Sequence, residues 1–279
     1  MRVGVVGYGV VGRAVARFFE RGPGIEIAVY DKHVAPYAGT ERLEAINRCA
    51  IAFVAVPTPY DAVHGACDVG EVEDVVERVG VPICIKSTIP PGTVDALIAL
   101  TGKQVAFSPE YLGESVSHPW REISDCGFLI VGGDPVACEL TVRAHELVAG
   151  DALHVVRTEA RCAELVKYME NTFLATKVAF VNQFFDLAAA AGVDFDELRE
   201  LFLLDRRVGS SHTSVTPERG FGGKCLPKDL RAIVAWAREH GAPAPLLEAV
   251  RDYNDSIHAE AVLDLRGRLS GELIGDAPL

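Results

Sequence analysis

The chain has 279 residues, 49% hydrophobic and 24% charged, with a formal net charge of −12. That length carries one large core or two smaller ones. The acidic balance argues against a nucleic-acid surface, which needs excess Lys and Arg against phosphate, but leaves room for a small anionic ligand held by a local basic cluster. With no run of about 18 apolar residues, no membrane span is expected. The seven cysteines show neither CxxC nor Cys/His spacing, which predicts reduced thiols in a cytoplasmic protein and no metal.

The first residues read as a buried strand, Arg2–Val6, with no room before it for a signal peptide. It runs into Gly7-Tyr-Gly-Val-Val-Gly12 and a helical stretch over 13–20. GxGxxG between a strand and a helix is a dinucleotide-binding turn. Gly7 permits the tight turn, Gly9 lets a pyrophosphate approach the backbone, and Gly12 lets the helix pack on the strand. Val10 and Val11 join the cofactor-binding set at the helix start, where free N–H groups face the phosphates. A second strand over 25–30 leads to Asp31, nineteen residues after Gly12. A carboxylate there accepts from a ribose 2′-hydroxyl and repels a 2′-phosphate, so the expected cofactor is NAD rather than NADP. Lys32, the next cofactor-binding residue, and His33 weaken that preference slightly.

Strands and helices then alternate. The apolar run 50–56 predicts a strand buried on both faces, which Pro57-Thr-Pro59 ends. A helix is expected over 71–79, and strands over 81–85, 104–107, 128–131 and 153–156, completing a doubly wound Rossmann-type parallel sheet. Ligands bind such sheets at the carboxyl ends of the strands. Thr58, Thr88, Glu110 and Glu114 lie just past strand ends, though each also suits an ordinary turn or cap.

From about residue 159 the pattern becomes all-helical, so domains 1–157 (NAD-binding) and 158–279 (helical, catalytic and dimerising) are expected. A long central helix over 159–191 places Lys167 and Asn171 one turn apart on an apolar stripe. A lysine there needs a partner, a ligand or a route to solvent. Shorter helices over 195–204, 226–240 and 246–269 follow, with a loop over 208–221. In Gly220-Phe-Gly-Gly-Lys-Cys-Leu-Pro-Lys-Asp229, Pro227 suits a helix start. Lys224, Lys228 and the positive helix end would favour a Cys225 thiolate. The same stretch also reads as a glycine turn holding a cysteine by chance.

Together, Gly7-x-Gly-x-x-Gly12, Val56-Pro-Thr-Pro59, Lys86-Ser-Thr-Ile-Pro-Pro-Gly-Thr93, Ser108-Pro-Glu-Tyr-Leu112, Ala163-Glu-x-x-Lys-x-x-x-Asn-x-Phe-Leu-Ala175 and Gly220-Phe-Gly-Gly-x-Cys-x-Pro-Lys-Asp229 resemble the UDP-glucose/GDP-mannose dehydrogenase family. The resemblance covers nearly the whole chain. It implies oxidation of a sugar primary alcohol to a carboxylate by two hydride transfers to NAD, through a cysteine thiohemiacetal and thioester. By that likeness Cys225 is the nucleophile, Lys167 holds charge against the alkoxide, and Asn171 is an oxyanion donor. Asp229 and Thr88 organise a water, and Glu110 assists hydrolysis as general base. Thr58, Thr88, Glu114 and Lys228 are implied dinucleotide contacts, while Glu110, Lys167, Asn171, Arg207 and Gly222 are implied substrate contacts. The family commonly dimerises through its central helical region. A homodimer is therefore expected, with Leu246, Leu247, Val250, Tyr253 and Ile257 of the last helix needing cover.

The sequence departs from the family pattern in four places. It stops after the helix that normally leads to a third, nucleotide-closing domain. Its path over 32–49 is short, Gln183 stands where a glutamate is usual, and the loop 210–219 lacks the usual aromatic and Asn-Pro-Gly pattern. These departures imply family chemistry on a smaller or different anionic substrate, a sugar, nucleotide or phosphorylated alcohol, or a partner chain that supplies the missing surface. Two alternatives are a two-electron β-hydroxyacid-type dehydrogenase and a non-catalytic member that binds NAD or a metabolite.

Overall fold

The computed structural model describes residues 1–112 and 123–272, and the chain divides into two compact units, Met1–Met169 and Glu170–Leu279. In the first unit β1 (Arg2–Val6) is buried at its last four positions and passes through the glycine turn into α1 (Val10–Glu20). The chain continues through β2 (Glu26–Tyr30), α2 (Thr40–Ile46), β3 (Ile51–Val54) and a small hairpin of β4 (Tyr60–Asp61) and β5 (Ala66–Cys67). Then come α3 (Gly70–Arg78), β6 (Ile83–Ile85), α4 (Thr93–Thr101), β7 (Val105–Phe107), β8 (Phe128–Gly133), α5 (Pro135–Ala149) and β9 (His154–Thr158).

Seven of these strands form one sheet in the order β2-β1-β3-β6-β7-β8-β9. The order reverses between β1 and β3, so the crevice beyond their carboxyl ends is the ligand position that this topology offers. Helices cover both faces. Val54, Ile85, Phe107, Val76 and Leu97 fill the core on one side, and Val5, Phe53, Phe19, Val15 and Ala144 fill the other. β3 is buried at every position, which is why its sequence is an unbroken apolar run rather than an alternation.

The sheet is mostly parallel, with one refinement of the expected pattern. Five strand pairings are parallel, but β7 and β8 pair antiparallel, with Ala106 opposite Gly133 and Phe107 opposite Gly132. Between these two strands the described residues hold only a short 3-10 turn, Ile123–Cys126. A parallel neighbour needs a crossover helix, whereas an antiparallel one does not.

The long α6 (Ala160–Ala191) carries both Lys167 and Asn171 and runs from the first unit into the second. In the second unit α7 (Phe195–Phe202) is capped by Asp194, whose carboxylate accepts from the Glu197 N–H at 2.9 Å. α8 (Leu226–Glu239) and α9 (Pro245–Glu272) follow. Ala175, Val178, Phe221, Leu230, Val234 and Val250 form this unit's core.

That core corrects the expectation for the last helix. Val250 and Ile257 are buried, Leu247 and Tyr253 pack against the cluster, and of the five named side chains only Leu246 stands out, 67% exposed. The apolar face of α9 is used inside its own unit. Exposed apolar side chains gather instead on α6 and α7, at Phe173, Phe180, Phe184, Leu187, Leu201 and Phe202. Among the described residues no helix is long and apolar enough to cross a membrane.

Candidate functional site

The glycine turn shows why each glycine is needed. Gly7 has φ +87°, and a Cβ there would lie 2.5 Å from the Ala55 carbonyl oxygen. A Cβ on Gly12 would lie 1.8 Å from the Gly7 oxygen, closer than any atom can approach. Gly9 differs, because nothing lies within 4 Å of where its Cβ would be. The space beside Gly9 is a cradle that a side chain would fill, as a pyrophosphate-binding turn requires. Val10 is exposed and Val11 partly so, both in the first turn of α1.

Asp31 closes this turn. Its Oδ2 accepts from the Tyr8 N–H at 2.6 Å, and its Oδ1 accepts from His33 and Val34 at 2.8 and 3.1 Å. Burial works against its charge, but the N–H groups of Tyr8, His33 and Val34 win and hold the carboxyl below its ordinary range. Asp31 therefore stays ionised at the edge of the cradle, suited to accept from a ribose hydroxyl. Lys32 pairs with Glu71, Nζ to Oε1 2.6 Å, so its charge is partly answered and bears less on a 2′-phosphate than the sequence alone indicates.

The loops beyond β3 and β6 are joined to each other. Thr58 Oγ1 donates to the Thr88 carbonyl at 2.8 Å, and Ser87 Oγ donates to the Val56 carbonyl at 2.7 Å. Beyond this pair, Glu164 of α6 accepts from the Gly92 and Val94 N–H groups at 2.6 and 2.9 Å. It thereby caps α4 and ties α6 to the Thr88 loop. Burial raises the Glu164 carboxyl above its ordinary range, against the pull of the Val94 and Gly92 amides. Glu110 is buried, and its Oε1 accepts from the Tyr111 and Leu112 N–H groups at 2.8 and 3.2 Å. Lys167 is buried as well, with its Nζ 5.1 Å from the centre of the Tyr111 ring, so it is not a snorkelling surface lysine. Glu114 lies outside the described residues.

Lys86, part of a family motif but assigned no role from it, and His145, which lies in no motif, face a cavity of about 220 Å³ together with Glu110. Lys86 Nζ donates to Ser108 Oγ at 3.0 Å. His145 Nδ1 bonds the Thr141 carbonyl at 2.7 Å, and burial, with Lys86 nearby, pushes the ring down to about 3. His145 is thus neutral.

In the second unit, Cys225 is the N-cap of α8, and the first turn closes with Asp229 N–H donating to the Cys225 carbonyl at 2.9 Å. Cys225 is exposed, whereas Asp229 is 1% exposed. Asn171 Nδ2 donates to Asp229 Oδ2 at 2.5 Å, a buried charge-assisted bond that joins α6 to the first turn of α8. Lys228 Nζ lies 2.5 Å from Asp229 Oδ1 as an ion pair. Gly222 has open space on its Cβ side. Arg207 stays apart from this buried cluster: its side chain is 90% exposed and chelated by Asp205 at 2.6–3.0 Å. Among the described residues no group of three His, Cys, Asp or Glu could hold a metal ion.

Fold and residues define an NAD-binding α/β unit followed by a helical unit that presents a cysteine at a helix start. The NAD binding domain of the UDP-glucose/GDP-mannose dehydrogenase family matches residues 37–142, and that family's central domain matches 161–256. The chain belongs to the UDP-glucose/GDP-mannose dehydrogenase family, and its cofactor is NAD. The UDP-glucose 6-dehydrogenase of Rickettsia prowazekii (strain Madrid E) is 32% identical over 241 residues, covering 80% of this chain and 53% of that protein. Among solved structures, a UDP-glucose dehydrogenase from the hyperthermophilic archaeon Pyrobaculum islandicum matches with a TM-score of 0.81 and 27% identity, covering 96% of this chain and 71% of that one. A UDP-D-ManNAc dehydrogenase from Pyrococcus horikoshii matches with a TM-score of 0.78 and 27% identity, covering 98% and 73%. The chain spans about half the length of the curated relatives it matches.

Proposed function

We propose that this chain oxidises the primary alcohol of an anionic sugar, nucleotide or related compound to a carboxylate, through a thiohemiacetal and thioester on Cys225. The observation that carries this reading is the buried Asn171–Asp229 bond, which anchors the helix turn whose first residue is Cys225. Bound NAD supplies the hydride acceptor for each of the two oxidations, held by Gly7, Gly9, Val10, Val11, Gly12 and Asp31, with Thr58, Thr88 and Lys228 as further contacts.

In this reading Lys167 holds positive charge against the alkoxide that develops as the alcohol loses its proton. Cys225 adds as thiolate to the aldehyde carbon, forming the C–S bond. Asn171 has one N–H committed to Asp229, and the other remains for the resulting oxyanion. A water organised by Asp229 and Thr88 carries the alcohol proton away, and after the second oxidation a water activated by Glu110 as general base attacks the thioester. The C–S bond breaks and thiolate leaves. Arg207 and Gly222 serve the substrate. Among the described residues no two cysteines form a disulfide, which suits a reducing, cytoplasmic setting.

A homodimer through the helical unit accompanies this reading, on the exposed α6 and α7 face rather than on α9. The Phe180 and Phe184 rings lie 4.7 Å apart, tilted by 42°, on that face, beside Phe202. Light scattering at micromolar concentration should give a dimer, and Phe180→Glu a monomer. The reaction is tested by screening UDP-sugars, GDP-mannose, nucleoside monophosphates and sugar phosphates for NAD reduction while counting NADH per substrate. Two NADH per carboxylate are expected. One NADH per substrate, unaffected by Cys225→Ser, would establish the two-electron alternative.

A further inference from the structure

The peptide that leads to Cys225 is held from two sides. Gly220 N–H donates to Asn182 Oδ1 of α6 at 3.0 Å. One residue on, Phe221 N–H donates to Asn254 Oδ1 of α9 at 2.7 Å, and Asn254 Nδ2 donates back to the Phe221 carbonyl at 3.1 Å. The side-chain amide of Asn254 thus satisfies both polar groups of one residue, as a neighbouring strand would. His258 Nε2 makes a second bond to the same carbonyl at 3.0 Å, and since a carbonyl only accepts, that nitrogen carries the proton.

The fit leaves little slack. Asn254 is 3% exposed and sits on the buried stripe of α9 between Val250 and Ile257. Gly220 has φ +61°, and a Cβ there would lie 2.5 Å from Asn254 Oδ1, so only glycine lets the amide reach the loop. Arg219, just before, holds the unusual non-glycine φ of +57° and is pinned by Asp186 at 2.7 and 2.9 Å and by Asn182 at 2.9 Å. These bonds fix the backbone four residues before the thiol. A polar group in an apolar helix stripe costs stability unless satisfied, and the Asn254 amide is satisfied on both its atoms by the Phe221 peptide.

We propose that Asn254 is a positioning residue for the Cys225 turn, acting through the Phe221 peptide, with His258 as its lesser partner. The inference rests on the reading of Cys225 as nucleophile, but it predicts a behaviour of the thiol that needs no substrate. Asn254→Asp is isosteric, keeps the acceptor for Phe221 N–H and puts a carboxylate oxygen against the Phe221 carbonyl. It should lower kcat about a hundredfold, the cost of a displacement near 1 Å, with the KM for NAD unchanged. It should also shift the pH profile of iodoacetamide alkylation at Cys225, followed by peptide mass spectrometry, while the exposed Cys162 in the same sample keeps its profile. His258→Leu removes one donor and should move both readouts the same way, by less. It decides the matter if Asn254→Asp loses its thermal transition. A merely structural role would lower the thermal midpoint and leave the Cys225 profile in place. Parental kcat and parental alkylation in these variants overturn the proposal. If the parent reduces no NAD with any alcohol, the reaction fails as proposed, and alkylation alone still judges Asn254.

Discussion

Two glycine turns, each followed by a helix, hold the cofactor and nucleophile sites proposed for this chain, and they are built on opposite plans. The Gly7–Gly12 turn is shaped by the backbone itself. Its first and third glycines are forced by carbonyl oxygens at 2.5 and 1.8 Å, and its second opens a cradle. The Gly220–Gly223 turn is shaped by side chains reaching in from α6 and α9: Asn182, Asn254, His258 and the Arg219–Asp186 pair. Backbone recognition suits a cofactor whose phosphates meet N–H groups, and it needs no side chain at all. The proposed nucleophile, by contrast, requires one thiol at one place, and tethers from two helices hold the loop that leads to it.

The contrast is broken most severely by removing the thiol. Cys225→Ser should cut acid formation by about 10³-fold or more, the scale for losing a nucleophile, while NAD binding measured by fluorescence is unchanged. Within the first turn the glycines should behave differently from one another. Gly12→Ala forces a Cβ to 1.8 Å from the Gly7 oxygen and should cost about 3 kcal/mol or more in urea unfolding of the first unit. Gly9→Ala fills empty space, so the thermal midpoint should stay while NAD binds about tenfold more weakly, roughly 1.4 kcal/mol. Equal destabilisation by the two would refute the cradle.

Asn171→Leu probes the second turn. It removes the donor to the buried Asp229 carboxylate and should destabilise the helical unit by about 1–3 kcal/mol, read from urea midpoints. The smallest effect concerns Asp31. Its folded carboxyl is held below the ordinary 3.8, so the unfolded chain takes up the proton first as pH falls. The stability it contributes is complete above 3.8 and is lost as pH drops through the lowered folded value. The stability gap between the parent and Asp31→Asn should therefore be constant near neutrality and close only in strong acid.

The first turn was legible because its cause is local: glycines at fixed spacing between an apolar strand and a helix, with an acid after the next strand. β1 and β3, whose residues repeat no polar face, were equally plain. The helices α2 and α4 were not, because α2 is a single short segment and α4 is apolar nearly all round, leaving little periodicity. α5 carried readable signals, Asp134 as N-cap and Pro135 behind it. The antiparallel β8 was hidden, since residues in a strand do not state the direction of their neighbour. At the site, motif residues were found, but their bonds were not. Asn171 meets Asp229 across 58 positions, and Phe221 meets Asn254 across 33. The signal available for Asn254 was a lone amide between Val250 and Ile257 on an apolar stripe. The exposed face was misplaced from α9 to α6 because periodicity shows that a helix has an apolar side, not which neighbour covers it.

The central claim is that Cys225 carries the substrate as a thioester, and intact-mass spectrometry of the protein quenched in acid during turnover tests it most directly. With NAD and the alcohol that gives the most NADH, an acyl adduct should appear on the Cys225 peptide, vanish with hydroxylamine, and be missing from Cys225→Ser. Carboxylate accumulating at full rate while every thiol keeps its unmodified mass would contradict the account.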